Sequence, residues 1–79
     1  MKKVLVLSMT DSDNYKSILC AFESEEYPTA ERIEAALVKT VSDYITDEVE
    51  RRRLAGEIQT KMQGESGEYE FDLVYAHVL

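Results

Sequence analysis

The run Val4-Leu5-Val6-Leu7 decides the fold of this 79-residue chain. Consecutive apolar residues in so short a segment, two of them β-branched, are typical of a strand that is buried on both faces. We therefore predict a strand over residues 3–9 at the centre of a sheet. A central strand needs a neighbour on each side, and the chain offers two candidates, residues 15–23 and residues 69–78.

The segment 15–23 fits two patterns. Ile18, Cys20 and Phe22 alternate as they would in a strand, whereas the spacing of Tyr15, Ile18 and Phe22 also suits one face of a helix. We favour the strand, because the segment is short and its side chains suit a pleated surface. The polar, turn-forming residues that precede it would make the first two strands a hairpin.

The middle of the chain carries the helical pattern. Thr29 follows Pro28 and is a suitable N-cap, and apolar residues then recur every three or four positions. The first apolar stripe consists of Ile33, Leu37, Val41, Tyr44 and Ile45, and the second of Leu54, Ile58 and Met62. Because the stripes lie on different sides, we predict a break near Thr46, which would cap a second helix, and hence helices over residues 29–45 and 47–63. A single long, curved helix that extends past the sheet is the alternative.

The last strand shows the clearest alternation. Gly64 suits the position after the second helix, and residues 65–68 are interpreted as a loop. One face of the following strand carries Tyr69, Phe71, Leu73, Tyr75 and His77, and the other carries Glu70, Asp72, Val74, Ala76 and Val78. We expect the first of these faces to pack against the helices.

These elements predict an α+β fold in one domain over residues 1–79. The sheet is expected to be three-stranded and mostly antiparallel, with ββα(α)β connectivity and strand order 2-1-3, packed on one or two helices. Its second face would then carry uncovered apolar side chains, namely Leu19, Ala21, Val74, Ala76 and Val78. A contiguous apolar patch is unusual on a monomer, so we predict self-association through this face, most simply as a homodimer.

No motif in the chain points to catalysis, to a metal or to a cofactor. His77 is the single histidine and Cys20 the single cysteine, and neither has ligands or a catalytic partner at a recognisable spacing. We interpret both as packed side chains. The sequence therefore predicts a protein that is not an enzyme and has no cofactor.

The net charge of −7 is unevenly distributed. Residues 29–63 are nearly neutral, whereas residues 64–79 contain four acids and no base. The acids form two stretches, Glu23, Glu25 and Glu26 in the first, and Glu65, Glu68, Glu70 and Asp72 in the second. Charge on outer strands protects a sheet from aggregation, and the same charge could dock a basic partner.

The only basic cluster is Arg51-Arg52-Arg53. Arginine forks suit phosphate or carboxylate groups, so the cluster is a candidate contact for a partner. The spacing also places Arg52 four residues after Glu48, and Glu57 four residues after Arg53, as in a solvated helix face with internal ion pairs. We favour the solvated face.

Composition also bears on location. The apolar run after Lys2 and Lys3 is too short for a secretory signal, and no segment approaches the ~20 apolar residues of a membrane span. We therefore expect a cytoplasmic protein. An acidic surface repels phosphate backbones and anionic lipids, so neither nucleic acid nor membrane is an expected partner.

The sequence thus favours a small, acidic protein-interaction module that associates with itself and with a protein partner of unknown identity. The alternative is an acidic inhibitor of a nucleic-acid-binding enzyme, of a phage or mobile-element type, in which carboxylates imitate DNA phosphates. Clustering of the acids on one surface would favour the inhibitor, and scatter would favour the module.

The net charge predicts that the chain does not bind duplex DNA at physiological salt, in spite of the triple arginine. A fluorescence anisotropy titration with a labelled duplex should show no binding at micromolar protein. Binding that weakens steeply with added salt would instead identify the arginines as a phosphate site.

Overall fold

The computed structural model describes residues 2–23 and 26–78. Two strands, two helices and two further strands follow one another along the chain. They are β1 (Lys2–Thr10), β2 (Lys16–Phe22), α1 (Ala30–Val41), α2 (Glu48–Lys61), β3 (Gln63–Ser66) and β4 (Tyr69–Val78). The α+β class is confirmed, and the ambiguous segment 15–23 is a strand.

The strands form one antiparallel sheet of order β2-β1-β4-β3. β1 pairs with β2 on one side and with β4 on the other, which confirms the predicted interior position of the run Val4–Leu7. The bounds of β4 and its antiparallel pairing with β1 are also as predicted.

The prediction of three strands in the order 2-1-3 is wrong, because the sheet has a fourth strand, β3, at its edge. β3 has the sequence Gln-Gly-Glu-Ser, which is polar and lacks alternation, so no pattern in the sequence marks it as a strand. The chain turns directly after α2 through Met62, which has the left-handed φ of 61°. Met62 takes the place predicted for Gly64 at the helix end, and the predicted loop becomes a strand.

Two glycines allow this hairpin. Gly67 has a φ of 59° at the first position of the two-residue turn between β3 and β4, where glycine is preferred in a type II′ turn. Gly64 lies so close to α2 that a Cβ atom there would be 2.8 Å from Glu57 Oε1 and 3.0 Å from Leu54 Cδ1. Any larger residue at Gly64 would push β3 away from the helix.

The helical region is divided as predicted, with turn and irregular residues over 42–47. The side chain of Thr29 accepts a hydrogen bond from the Arg32 backbone N–H at 3.2 Å, which confirms it as the N-cap of α1. The cap of α2 is Asp47 rather than Thr46: its carboxylate accepts a hydrogen bond from the Val49 backbone N–H at 3.1 Å. A carboxylate also interacts favourably with the helix dipole.

Both helices pack on the same face of the sheet. That face carries the odd-numbered residues of β1 and β4, and the core joins them to the apolar stripes of the helices. The buried core contains Leu5, Leu7, Met9, Phe22, Ile33, Leu37, Val41, Ile45, Leu54, Ala55, Ile58, Phe71 and Leu73.

A β-bulge changes the direction of one predicted side chain. Leu7 pairs with Cys20 and Ser8 pairs with Ile18, so Leu19 has no partner in β1. Leu19 and Cys20 both pack against the core, although Leu19 was predicted on the second face.

Truncation of Leu7, on the helix side of β1, should destabilise the fold more than truncation of Val6 on the opposite side. Leu7 is fully buried, so Leu7→Ala should cost about 2–5 kcal/mol of unfolding free energy. Val6 is half-buried on the opposite face, and Val6→Ala should cost roughly 1 kcal/mol. Urea denaturation followed by circular dichroism measures both. Equal midpoints for the two variants would contradict this assignment of the faces.

Candidate functional site

The face of the sheet opposite the helices, here called the open face, carries the even-numbered residues of β1 and β4 and their neighbours in β2 and β3. None of the residues in the buried core cluster lies on it, although Val4, which pairs with Ala76 on this face, is buried. Its apolar patch consists of Val6, Ile18, Ala21, Val74 and Ala76. Ile18 is 75% exposed and Val74 is 49% exposed, although both lie in strands. The open face therefore exposes apolar side chains that the core does not use.

Three of the five residues predicted for the self-association face, Ala21, Val74 and Ala76, lie on the open face. Ala21, Val6 and Val74 are neighbours in three adjacent strands, because Val6 pairs with both of the others. Ala76 lies next in β4. Ile18 belongs to the patch and was missed, because only the bulge at Leu19 brings it onto the same face as Ala21. Val78 in β4 pairs with Lys2 in β1, and the side chain of Val78 is outside the part of the structure that is described.

The open face becomes polar towards the end of β1 where Ser8 pairs with Asp72. Ser8 is buried and its hydroxyl donates a hydrogen bond to Asp72 Oδ1 on the adjacent strand. Lys16 Nζ lies 3.5 Å from the second carboxylate oxygen of Asp72. This cluster satisfies a buried hydroxyl inside the sheet, and burial of Ser8 leaves no access for a substrate.

Beyond Asp72, the last row across the open face holds two carboxylates. Thr10 pairs with Lys16 on one side and with Glu70 on the other, and Glu70 pairs with Glu65. Like charges directly opposite each other in a sheet are destabilising. A cavity of about 450 Å³ opens here, and Glu65, Glu70, Asp72 and Glu57 line it together with Lys61.

The triple arginine is engaged within the chain. Arg51 donates a hydrogen bond from Nη1 to the Ile45 carbonyl oxygen at 2.8 Å, which ties α2 to the end of the preceding connection. Arg52 forms an ion pair with Glu48 at 3.0 Å, one turn earlier on the same helix. The Arg52–Glu48 pair agrees with the internal pairing expected of a solvated helix face, whereas Arg51 is half-buried and its buried Nε has no hydrogen-bond partner among the described residues.

Arg53 is the centre of a polar network between α2 and β3. It pairs with Glu50 and Glu57 on its own helix and donates from Nη2 to the Glu65 carbonyl oxygen at 2.9 Å. Glu57 accepts from the Glu65 backbone N–H at 3.0 Å, and Glu50 accepts from the Ser66 hydroxyl at 2.8 Å. The network therefore fixes the edge strand to the helix.

This network lowers the pKa of the Glu50 carboxyl below its ordinary value. The hydrogen bond from Arg53 is the largest cause, and the hydrogen bond from Ser66 is the second. Both contacts stabilise the charged form of the carboxylate. The role of these residues is thus the attachment of β3.

The two acidic stretches lie at opposite ends of the sheet. Glu23 follows Phe22, which pairs with Leu5, whereas Glu70 pairs with Thr10 at the other end of β1. Glu26 precedes α1, and Glu68 lies in the turn before β4. Glu25 lies outside the described residues. The structure therefore does not bring the predicted acidic docking residues together on one surface.

Cys20 belongs to no metal-binding cluster among the residues that the structure describes. Cys20 is half-buried, and burial raises the pKa of its thiol while the positive charge of Lys39 partly opposes this effect. His77 pairs with Lys3 in the sheet, and its side chain lies outside the described residues. Among the residues that the structure describes, no group of acids, histidines and cysteines could hold a metal ion.

None of the described helices is long and apolar enough to cross a membrane. Comparisons of the chain with protein-family models, with curated proteins and with solved structures give no match. The open face is therefore the observation from which a function can be argued.

The network around Glu50 predicts a pH-dependent contribution to stability. Because the native pKa of Glu50 lies below its unfolded value, the ionised carboxylate stabilises the fold above about pH 4.3, and this contribution disappears as the pH falls through the native pKa. The variant Glu50→Gln should therefore melt below the wild type at pH 7, and the difference should vanish near pH 2. Thermal melts of the wild type and of Glu50→Gln between pH 2 and pH 7 test this prediction.

Glu48→Gln is the matched control, because Glu48 lies two residues away and pairs on the exposed surface with Arg52. Its melting temperature should stay close to that of the wild type at every pH. A difference for Glu50→Gln that is equally large at pH 2 and pH 7 would contradict the proposed ionic role.

Proposed function

We propose that this chain is a small, acidic, cytoplasmic protein-interaction module that has no catalytic activity and associates with itself through the open face. One observation carries the proposal: the open-face apolar patch runs across three adjacent strands while both helices lie on the other side. Exposed contiguous apolar surface of this kind marks an interaction site in soluble proteins.

A second copy is the occupant that the chain itself supports best. A domain of 79 residues buries only about 60% of its unfolded surface, so its own core is thin, and a shared face would extend it. The patch is uncharged and offers β-branched and small side chains that suit packing between two sheets about 10 Å apart. A two-fold dimer covers the patch of both copies through a single interface.

The position of the acids supports the module over the inhibitor. A protein that imitates DNA would present its carboxylates together along one surface, whereas Glu23 and Glu70 lie at opposite ends of the sheet. The arginines that could bind a partner are engaged with Ile45, Glu48, Glu50 and Glu57. The apolar patch is then the surface that is left to bind a partner.

The proposal predicts that the wild type sediments as a dimer at ~100 μM, since a working interface should bind with micromolar or better affinity. Val74→Lys should produce a monomer, because the charge would be desolvated at the centre of the interface. Val38→Lys is the control: Val38 is 44% exposed on α1, close to the 49% of Val74, but it lies in the helix layer. This variant should remain a dimer.

Equilibrium sedimentation decides the question. A wild type that is monomeric at ~100 μM would exclude self-association as the function of the open face. Equal effects of Val74→Lys and Val38→Lys would place the interface elsewhere.

A further inference from the structure

We propose that the two copies pack with their two-fold axis parallel to the strands, so that Lys16 of each copy lies against the Glu65–Glu70 pair of the other. This inference rests on the proposed function, because it specifies how the open faces meet. It follows from the order of the side chains across the open face.

The pairing of the strands arranges the open face in rows. One row, the apolar row, runs from Ala21 through Val6 to Val74. A second row, the charged row, runs from Lys16 through Thr10 to Glu70 and Glu65, with the base on the β2 edge and both acids towards the β3 edge. The apolar row thus crosses the middle of β1 and the charged row crosses its end, and the charged row has a positive and a negative side.

Two simple orientations bring one open face onto another. A two-fold axis perpendicular to the strands reverses the rows. Val6, the middle residue of β1, would still meet Val6 of the other copy, but the charged row would lie over the opposite end of the sheet, where Lys2 pairs with Val78. That arrangement keeps Lys16 of one copy away from Glu65 and Glu70 of the other, so the charges of the row gain no partner in each other. An axis parallel to the strands keeps each row against its own counterpart and inverts only the strand order.

The second orientation places the apolar row on the apolar row and the charged row on the charged row. Val6, Ala21 and Val74 meet the same residues of the other copy, and the β2 edge of one copy lies over the β4 and β3 side of the other. The base Lys16 therefore approaches the carboxylates of Glu70 and Glu65. The interface becomes complementary in charge as well as in polarity, which fixes the orientation of two partners.

The two carboxylates of the charged row are exposed and can contact a basic group of another copy. Glu65 and Glu70 are direct cross-strand neighbours, and no described side chain forms an ion pair with either carboxylate. Lys16 is exposed by more than half and reaches only Asp72 within its own chain, at 3.5 Å.

Reversal of these charges tests the contact. Lys16→Glu and Glu70→Lys should each weaken the dimer about tenfold, because each substitution replaces an attraction by a repulsion at two symmetric sites. The double variant Lys16→Glu with Glu70→Lys should restore the dissociation constant to within about threefold of the wild type. Sedimentation equilibrium measures all three constants, and circular dichroism shows that each variant is folded.

Net charge alone does not predict this result. Glu70→Lys makes the chain less negative and would strengthen association if general repulsion were the cause. Lys39→Glu on α1 is the control for Lys16→Glu, since it gives the same net charge from an exposed position in the helix layer, and it should leave the dimer unchanged. If Glu70→Lys fails to fold, Glu65→Lys serves in its place.

The outcomes separate this inference from the proposed function. Single reversals that leave the dissociation constant within twofold, or a double variant weaker than both singles, would overturn the orientation. The proposed function would survive that result if Val74→Lys still produced a monomer. A monomeric wild type would overturn both.

Discussion

The interior position of β1 is the constraint on which the rest of the structure depends. Hydrogen bonds to β2 on one side and to β4 on the other fix the alternation of β1 with respect to both neighbours. Leu5 and Leu7 then face the helices, whereas Val6 and Ser8 face away from them. Since both helices are needed to cover the first face, the second face is built from residues of every strand and is covered by neither helix.

The attachment of β3 widens this sheet and gives it a polar end. Arg53, Glu57 and Glu50 contact the backbone and the hydroxyl group of an edge strand that has almost no apolar side chains. Hydrogen bonds to charged groups are stronger than neutral ones, which explains how such a strand is held without a hydrophobic contribution of its own. The same strand places Glu65 opposite Glu70, so the packing of the helix layer has a direct consequence on the open face.

The open face combines an apolar row and a charged row, and this combination restricts what can cover it. A wholly apolar partner would leave Lys16, Glu65 and Glu70 desolvated, and a wholly basic partner would leave Val74 and Ile18 without contacts. A second copy that is turned about an axis parallel to the strands offers both chemistries in the required order. The proposed self-association and the proposed charge complementarity are in this way both argued from one strand register.

The sequence by itself determined the elements whose signals are local. The run Val4–Leu7, the alternation of residues 69–78 and the cap at Thr29 each depend on neighbouring residues, and they predicted β1, β4 and the start of α1. Those signals also predicted that Ala21, Val74 and Ala76 would share a face. Only the tertiary structure decided the position of β3, the direction of Leu19 and the inclusion of Ile18 in the patch. Each of these depends on contacts between residues far apart in the chain: β3 is held by side chains of α2, and the bulge exists only in the pairing of β2 with β1.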